Sequence, residues 1–162
     1  MAESRGELVE FLAYSGLRIA EANAVKWRHV DWERSELIVE GDEKKEGTKS
    51  RQSRRVPMIA ELQELLTKIR KGRESKGLND KVLLVNNAKA IMQKVSEPMG
   101  KESIGHHDMR HLFATTCIES GVDIPTIAHW LGHQDGGALA MKTYGHLRNE
   151  YSRRAADLVS FA

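Results

Sequence analysis

The spacing of apolar residues along the chain predicts a mainly helical protein. Residues 7–15 and 60–73 each carry apolar side chains three and four positions apart, as on one face of a helix. A further helix is predicted to start near Leu17, after a break at Ser15-Gly16. The stripe that this helix is expected to bury consists of Leu17, Ala20, Ala24 and Trp27.

The second half of the chain continues the helical pattern. Residues 88–95 predict one helix, and residues 106–120 predict another, which Gly121 ends. A further helix is predicted to begin at Asp123, whose carboxylate suits the N-cap position, and to end at Gly132. We therefore expect two consecutive helices joined by a tight turn.

Past Gly132 the pattern changes. Residues 134–137 contain two adjacent glycines and predict a flexible turn. Beyond Tyr144, apolar residues again recur at helical spacing and predict a last amphipathic helix. Its apolar face consists of Leu147, Tyr151, Ala155 and Leu158. That face needs a partner surface, on this domain or on another chain.

Short segments with the composition of strands interrupt the helices. Residues 31–35 predict a turn and residues 37–39 a strand, and residues 55–57 predict the strand that returns. The intervening residues, 41–55, are predicted to form a long basic hairpin tip. Residues 80–85 predict a short buried strand. The predicted fold class is α+β, mainly α, with a small antiparallel β-sheet.

Length and composition favour one globular domain over residues 1–162. The hydrophobic content is 40% and the charged content 30%, and no apolar run approaches the roughly 20 residues of a membrane span. We expect no signal peptide. The single cysteine, Cys117, excludes an internal disulfide and fits a reducing compartment. We therefore expect a cytoplasmic protein without a membrane partner.

The charge is distributed unevenly along the chain. The net charge is +2, but residues 44–76 hold 11 Lys and Arg against 4 Asp and Glu, which leaves −5 for the remaining residues. Such asymmetry predicts a basic edge that faces a polyanion. The alternative interpretation is a solvated helix face, with the hairpin tip as a disordered, solubilising loop.

Histidines first suggest a metal site. His107 and His111 have the spacing of two zinc ligands on a helix, and His129 and His133 repeat it. However, Arg110 would lie beside the metal, and a guanidinium next to a zinc dication is electrostatically unfavourable. The same arginine next to a phosphate is favourable. We therefore expect no metal and no cofactor.

A phosphate-binding site accounts for these residues better than a metal site does. Two arginines with imidazole donors can stabilise the charge that develops on a phosphodiester under attack, and the clamp would consist of Arg18, His107, Arg110 and His133. Tyr144 is the candidate nucleophile. Its phenol has an ordinary pKa near 10, so ionising it at pH 7 costs about 4 kcal/mol in water, which a cationic site lowers. Lys49, on the hairpin, is the candidate proton donor to the leaving oxygen.

Five motifs, taken in order, resemble those of the tyrosine recombinases of the phage-integrase type. They are Ser15-Gly-Leu-Arg18-Ile-Ala-Glu21, the Lys49 hairpin ending in Arg55-Val56-Pro57, His107-Asp-Met-Arg110-His111, Leu131-Gly-His133 and Thr143-Tyr144-Gly-His-Leu. The resemblance implies the catalytic core of the DNA breaking-rejoining enzymes, which needs no metal. It also implies site-specific recombination or integration of DNA in a bacterial or phage-infected cell, through a 3′-phosphotyrosine and a released 5′ hydroxyl.

The resemblance assigns a role to each matched residue. Arg18 and Arg110 would bind the scissile phosphate, and His133 would donate to it. His107 would assist proton transfer, and Lys49, eight residues before Pro57 in a Thr-Lys-Ser setting, would protonate the 5′ oxygen. Supporting roles would fall to Glu21 and His111. The charge of the basic segment, and not the resemblance, suggests the contacts to double-stranded DNA, which would come from Lys44, Lys45, Arg51, Arg54 and Arg55.

Two departures from the family pattern are visible. Eleven residues separate His133 from Tyr144, about two more than in many relatives, and Gly136-Gly137 lies among them. The N-terminal domain that holds the other side of the DNA, and the first helix of the catalytic domain, are not matched, so we expect a fragment that is monomeric in solution. The full-length protein would form a tetramer on DNA and exchange its C-terminal helix with a neighbouring subunit.

Three alternatives remain open at this point. A type IB topoisomerase uses a similar set of residues but reseals the same strand, although the settings of Arg18 and of Leu131-Gly-His133 resemble integrases more. A catalytically silent DNA-binding module would keep the basic face and lose the geometry. A zinc hydrolase would use the histidine pairs as ligands.

Overall fold

Helices account for most of the architecture. The computed structural model describes residues 2–41, 53–73, 77–100, 104–133, 137–145 and 160, with the backbone alone at Ala2, Met99, Leu139 and Tyr144. The α-helices in these residues are α1 (Ala2–Ser15), α2 (Ile19–Ala24), α3 (Ala60–Lys71), α4 (Lys89–Ser96), α5 (His106–Glu119), α6 (Ile124–Leu131) and α7 (Ala138–Tyr144). Short 3₁₀ helices lie at Trp27–His29 and Glu97–Met99.

The predicted hairpin is present within a three-stranded antiparallel sheet. Its strands are β1 (Val30–Asp31), β2 (Glu36–Val39) and β3 (Arg54–Pro57), in the order β1-β2-β3. Val39 pairs with Arg54 at the last register position before the residues that connect the two strands. The predicted mainly α fold class with a small antiparallel sheet is confirmed. The pattern did not predict β1, because the turn-forming residues after Asp31 mask a strand of two residues.

Two predictions about this half of the chain are wrong. Residues 80–85 form no strand and contribute a single bridge between Lys26 and Lys81. The stripe assigned to the helix after Leu17 is also out of phase, because Ala20 and Ala24 are exposed. The left-handed backbone at Gly16 and the extended backbone at Arg18 delay the start of α2, so a different face turns inward.

The core has two parts that meet beside α6. The larger part joins α1, the sheet and α3 through residues such as Phe11, Leu37 and Leu66, each 0% exposed. The smaller part joins α5, α6 and α7 around Phe113 and Ile127. Trp130 packs against both parts. Consequently the segments that follow α1 and α6 are held close to each other.

The ends of α6 follow the predicted capping chemistry. The carboxylate of Asp123 accepts a hydrogen bond from the backbone N–H of Thr126 at 2.9 Å, and it therefore caps the N-terminus. Gly132, with φ of +68°, ends the helix in the left-handed conformation. His133 then donates its backbone N–H to the Ala128 carbonyl at 2.9 Å. This ending presents the last carbonyls of α6 to side chains from other elements.

Helix α7 is an addition to the predicted elements. The sequence predicts a turn over residues 134–137 and a helix beyond Tyr144, whereas α7 begins at Ala138 and ends at Tyr144. Seven residues are too few for a clear helical period, which explains why the sequence pattern does not predict α7. The predicted terminal helix lies outside the described residues. In the part of the chain that the structure describes, no helix is long and apolar enough to cross a membrane.

Candidate active site

Arg110 lies at the centre of the candidate site. It occupies the second turn of α5, whose start is fixed by a hydrogen bond from the Gly105 N–H to the Asp108 carboxylate at 2.7 Å. The residue is 4% exposed. Its two terminal nitrogens donate to the carbonyl oxygens of Gly16 at 2.8 Å and of Leu131 at 2.6 Å. The guanidinium therefore joins the end of α1 to the end of α6.

Arg18 donates to the same carbonyl. It is the N-cap residue of α2, and its Nη1 donates to the Leu131 oxygen at 3.2 Å. One backbone oxygen thus accepts from two guanidiniums, although the two residues are 92 positions apart in the sequence. Like charges repel, so this arrangement favours an anion that binds both groups. The side chain of Arg18 is 31% exposed, which opens the pair to solvent.

Glu21 supports Arg18 from the first turn of α2. Its carboxylate accepts from the backbone N–H of Arg18 at 2.9 Å and from its guanidinium at 3.2 Å. It also accepts hydrogen bonds from both terminal nitrogens of Arg54, at 3.1 and 2.9 Å. Burial raises the pKa of Glu21, but the hydrogen bonds and positive charges of Arg54 and Arg18 outweigh burial and hold the pKa below its ordinary 4.5.

The stability of the protein is expected to depend on this carboxylate. A carboxyl group whose folded-state pKa is lowered stabilises the fold above its unfolded pKa, and the contribution is lost as pH falls through the folded value. Glu21→Gln is expected to lower the free energy of unfolding at pH 7 by about 3 kcal/mol, because two guanidiniums lose their anion. The difference from wild type should shrink as pH falls below 4.5. Urea denaturation at several pH values measures it.

The chain offers a matched control for this experiment. Glu36 accepts from Arg55 at 2.9 Å, the same distance, but both side chains are substantially exposed. Glu36→Gln is expected to change the stability little, because water screens an exposed pair. Equal effects of the two substitutions, or a Glu21→Gln difference that does not vary with pH, would contradict the assigned role of Glu21.

Arg54 requires a correction to the predicted DNA contacts. Its side chain is 5% exposed, and it pairs with Glu21 instead of pointing to solvent. The signal was present in the sequence, since alternation along β3 places Arg54 on the same face as the buried Val56. Arg55 does point outward, but its charge is offset by Asp31 at 3.1 Å and Glu36 at 2.9 Å.

His107 lies beside the arginine pair. It precedes Arg110 by one helical turn, and its ring contacts that of His111 edge to face, with 4.4 Å between centroids. Partial desolvation of the ring, followed by the positive charges of His111 and Arg110, lowers the pKa of His107 below its ordinary 6.5. The imidazole is therefore neutral at pH 7 and able to accept a proton.

A titration can check this environment. Replacement of His111 by phenylalanine keeps an aromatic ring against His107 and removes a neighbouring positive charge. We expect the pKa of His107 to rise toward 6.5 in His111→Phe, as followed by NMR of the ring protons, with His107→Gln used to assign the resonance. An unchanged or lower midpoint would show that charge from His111 does not reach His107.

The remaining predicted residues are placed less completely. His133 is half-buried and lies two residues after Leu131, the last residue of α6, whose carbonyl both arginines share. Tyr144 is the last residue of α7, and its side chain lies outside the described residues. Four basic residues of the hairpin tip also lie outside them: Lys44, Lys45, Lys49 and Arg51. Their assigned roles stay predictions.

Sequence reasoning did not anticipate the carbonyl oxygens that orient the arginines. Those of Gly16, Trp130 and Leu131 belong to the backbone, so no residue type signals them. His106 was not singled out either; its Nε2 accepts from the Ala88 N–H at 3.1 Å and ties α5 to the start of α4. Among the described residues, no group of three or more His, Cys, Asp or Glu side chains could hold a metal ion.

Comparison with known proteins identifies the family. The sequence model of the phage integrase family matches residues 3–150, a range that includes every predicted catalytic residue from Arg18 to Tyr144. The chain belongs to the phage integrase family. The resemblance inferred from the five motifs is therefore confirmed.

Relatives within this family include tyrosine recombinases of archaea and bacteria. XerA of Thermococcus onnurineus is 30% identical over 167 residues, which cover 96% of this chain and 55% of the relative. XerD of Neisseria meningitidis serogroup B is 29% identical over 155 residues, which cover 88% of this chain and 50% of the relative. This chain thus spans about half the length of these relatives.

Solved structures agree on the fold. The Tn1549 transposon integrase, in complex with transposon right end DNA, superposes with a TM-score of 0.70 at 18% identity, over 94% of this chain and 59% of that chain. The crystal structure of XerA recombinase superposes with a TM-score of 0.64 at 21% identity, over 99% of this chain and 65% of that chain. Phage integrase family membership and these superpositions together establish the tyrosine recombinase catalytic fold.

Proposed function

We propose that this chain is the catalytic domain of a site-specific tyrosine recombinase that cuts and rejoins double-stranded DNA without a metal. The observation that carries this proposal is the shared Leu131 carbonyl, which accepts from Arg18 at 3.2 Å and from Arg110 at 2.6 Å. Two guanidiniums so oriented form a binding site for a phosphodiester. Family membership and the DNA-bound state of the Tn1549 integrase structure support DNA as the source of that phosphate.

In the reaction that we propose, the phenol oxygen of Tyr144 attacks the scissile phosphorus. A bond forms between that oxygen and phosphorus, and the bond to the 5′ oxygen breaks. Arg18, Arg110 and His133 stabilise the negative charge on the non-bridging oxygens. His107 accepts the phenol proton, and Lys49 donates a proton to the leaving 5′ oxygen. A 3′-phosphotyrosine and a 5′ hydroxyl result.

Strand exchange follows from the same chemistry. The 5′ hydroxyl of a second duplex attacks the phosphotyrosine and regenerates the free phenol, so no external energy source is required. In a phage-type element this reaction would integrate or excise prophage DNA at the nucleoid, in the cytoplasm.

Assembly is the second part of this proposal. We expect the chain alone to be a monomer that binds DNA weakly, because few phosphates are contacted. Its affinity should still fall as salt rises, because those contacts are electrostatic. The full-length protein would act as a tetramer on DNA, with the C-terminal helix exchanged between subunits. Light scattering of the full-length protein on duplex DNA, compared with the same protein ending after Gly145, tests the exchange. An unchanged assembly in the shortened chain would count against it.

Covalent trapping tests the catalytic function. A nicked suicide duplex, whose short cleaved end diffuses away, should accumulate a protein–DNA adduct equally with and without chelator. Mass spectrometry of the digested adduct should place the nucleotide on Tyr144. An adduct at a different residue would overturn the assigned nucleophile, and loss of the adduct in chelator would overturn the metal-independent mechanism. Absence of any adduct, even for a full-length protein, would leave a DNA-binding module.

A further inference from the structure

Arg54 donates hydrogen bonds from all three of its guanidinium nitrogens, unlike a typical surface arginine on a hairpin. Its Nε donates to the Trp130 carbonyl at 2.7 Å, while its terminal nitrogens donate to the two carboxylate oxygens of Glu21. The side chains of Arg54 and Glu21 are 5% and 7% exposed. A planar guanidinium meets both partners at once because its donors form a rigid fork, which the single ammonium of lysine cannot reproduce.

Both partners of Arg54 lead directly to the phosphate-binding pair. Glu21 holds the backbone N–H and the guanidinium of Arg18. Trp130 is the neighbour of Leu131, whose carbonyl accepts from Arg18 and from Arg110. Arg54 therefore connects the start of α2 with the end of α6, the two places that orient Arg18.

Gly132 brings the backbone of the site against the same guanidinium. A Cβ atom at Gly132 would lie 2.7 Å from Nη1 of Arg54 and 2.8 Å from its Cζ, closer than such atoms can approach. The close approach requires glycine, as does the φ of +68°. Since His133 follows directly, Arg54 also sets the position from which that imidazole leaves α6.

We propose that Arg54 is a positioning residue for phosphate binding: it holds Glu21 and the end of α6 so that Arg18 meets the scissile phosphate in a fixed orientation. The role rests on the proposed recombinase function. It differs from a DNA contact, since the side chain is buried, and from a general contribution to stability, since it acts on the negatively charged phosphate through Arg18.

The test compares two suicide duplexes under single-turnover conditions with saturating DNA. One has an ordinary scissile phosphodiester. The other has a methylphosphonate, in which a methyl group replaces one non-bridging oxygen and removes the negative charge. We expect Arg54→Lys to form the adduct at least about tenfold more slowly than wild type on the phosphodiester, because a small misplacement of a binding group is costly. On the neutral substrate the deficit should largely disappear.

Two reference variants make the comparison specific. Arg18→Ala should show the same dependence on phosphate charge, with a larger deficit on the phosphodiester. Arg34→Lys, which changes an exposed arginine in the turn before β2, should behave as wild type on both substrates. Thermal unfolding of each variant records any loss of stability. An equal deficit of Arg54→Lys on both duplexes, or no deficit on either, would overturn the positioning role.

A second measurement is independent of DNA cleavage. The Nε–H resonance of Arg18 in the free, folded chain, assigned with Arg18→Lys, reports the environment of that guanidinium. We expect it to shift and broaden in Arg54→Lys and to stay unchanged in Arg34→Lys. If wild type formed no adduct, the proposed function would fail while this link could still be tested. An Arg18 resonance that does not change in Arg54→Lys would contradict the proposed connection between Arg54 and Arg18.

Discussion

Replacement of Tyr144 by phenylalanine is expected to abolish the covalent protein–DNA adduct while leaving the affinity for duplex DNA nearly unchanged. The substitution removes the phenol oxygen, the atom to which the proposed mechanism joins the DNA, and retains the aromatic ring. Loss of the nucleophile removes the covalent route entirely, so the rate should fall by at least about a thousandfold. Denaturing gels of the suicide-duplex reaction measure the adduct, and fluorescence anisotropy measures the affinity.

Tyr14 provides the matched control for this substitution. It lies on α1, is half-buried, and packs against the larger part of the core. Tyr14→Phe removes the same oxygen and should form the adduct at the wild-type rate. If Tyr144→Phe still reacted normally, another residue would be the nucleophile, and the family-based assignment of Tyr144 would have to be abandoned.

Replacement of Arg110 by lysine is expected to lower the cleavage rate by about a hundred- to a thousandfold at saturating DNA, the loss typical of removing one preorganised donor from a charged transition state. Lysine keeps the charge but cannot bridge the carbonyls of Gly16 and Leu131, which the guanidinium meets at 2.8 and 2.6 Å. The charge would no longer be oriented. Affinity for DNA should change much less, because most of it comes from contacts with other phosphates.

An exposed arginine separates this effect from a general loss of positive charge. Arg34 has 69% of its side chain exposed and lies 3.8 Å from Asp31 in the turn before β2. Arg34→Lys should leave the cleavage rate unchanged. Single-turnover rates at several DNA concentrations divide each effect between binding and chemistry. A loss confined to affinity in Arg110→Lys would show that this residue binds DNA without stabilising the transition state.

Local patterns in the sequence predicted the elements that local interactions determine. The helix over α3 follows from the spacing of Leu62, Leu65, Leu66 and Ile69, all of which are buried. The limits of α6 follow from the chemistry of Asp123 and Gly132. In contrast, β1 and α7 are too short for a period, and residues 80–85 have strand composition without a strand partner along their length.

The candidate site was predictable in its residue types and not in its connections. The motifs indicate Arg18, His107 and Arg110 by resemblance, and the structure brings these three together. The carbonyl of Leu131 could not be anticipated, because it lies 113 residues from Arg18 and is a backbone atom. Arg54 was assigned to DNA from the charge of its segment, although the alternation with Val56 indicates an inward side chain. Where the charge of the segment and the alternation along the strand give different predictions for Arg54, the structure agrees with the alternation.

Helix α6 ends in carbonyls that are held by three arginines, and these reach it from widely separated parts of the chain: Arg18, Arg54 and Arg110. The partial negative charge of a helix C-terminus makes it a favourable partner for such cations. These contacts exist only after the sheet, α2 and α5 have all docked. An incompletely folded chain therefore keeps its basic segment, and with it an attraction to DNA, while it lacks the means to break a strand. Under the proposed function, strand cleavage is therefore conditional on complete folding.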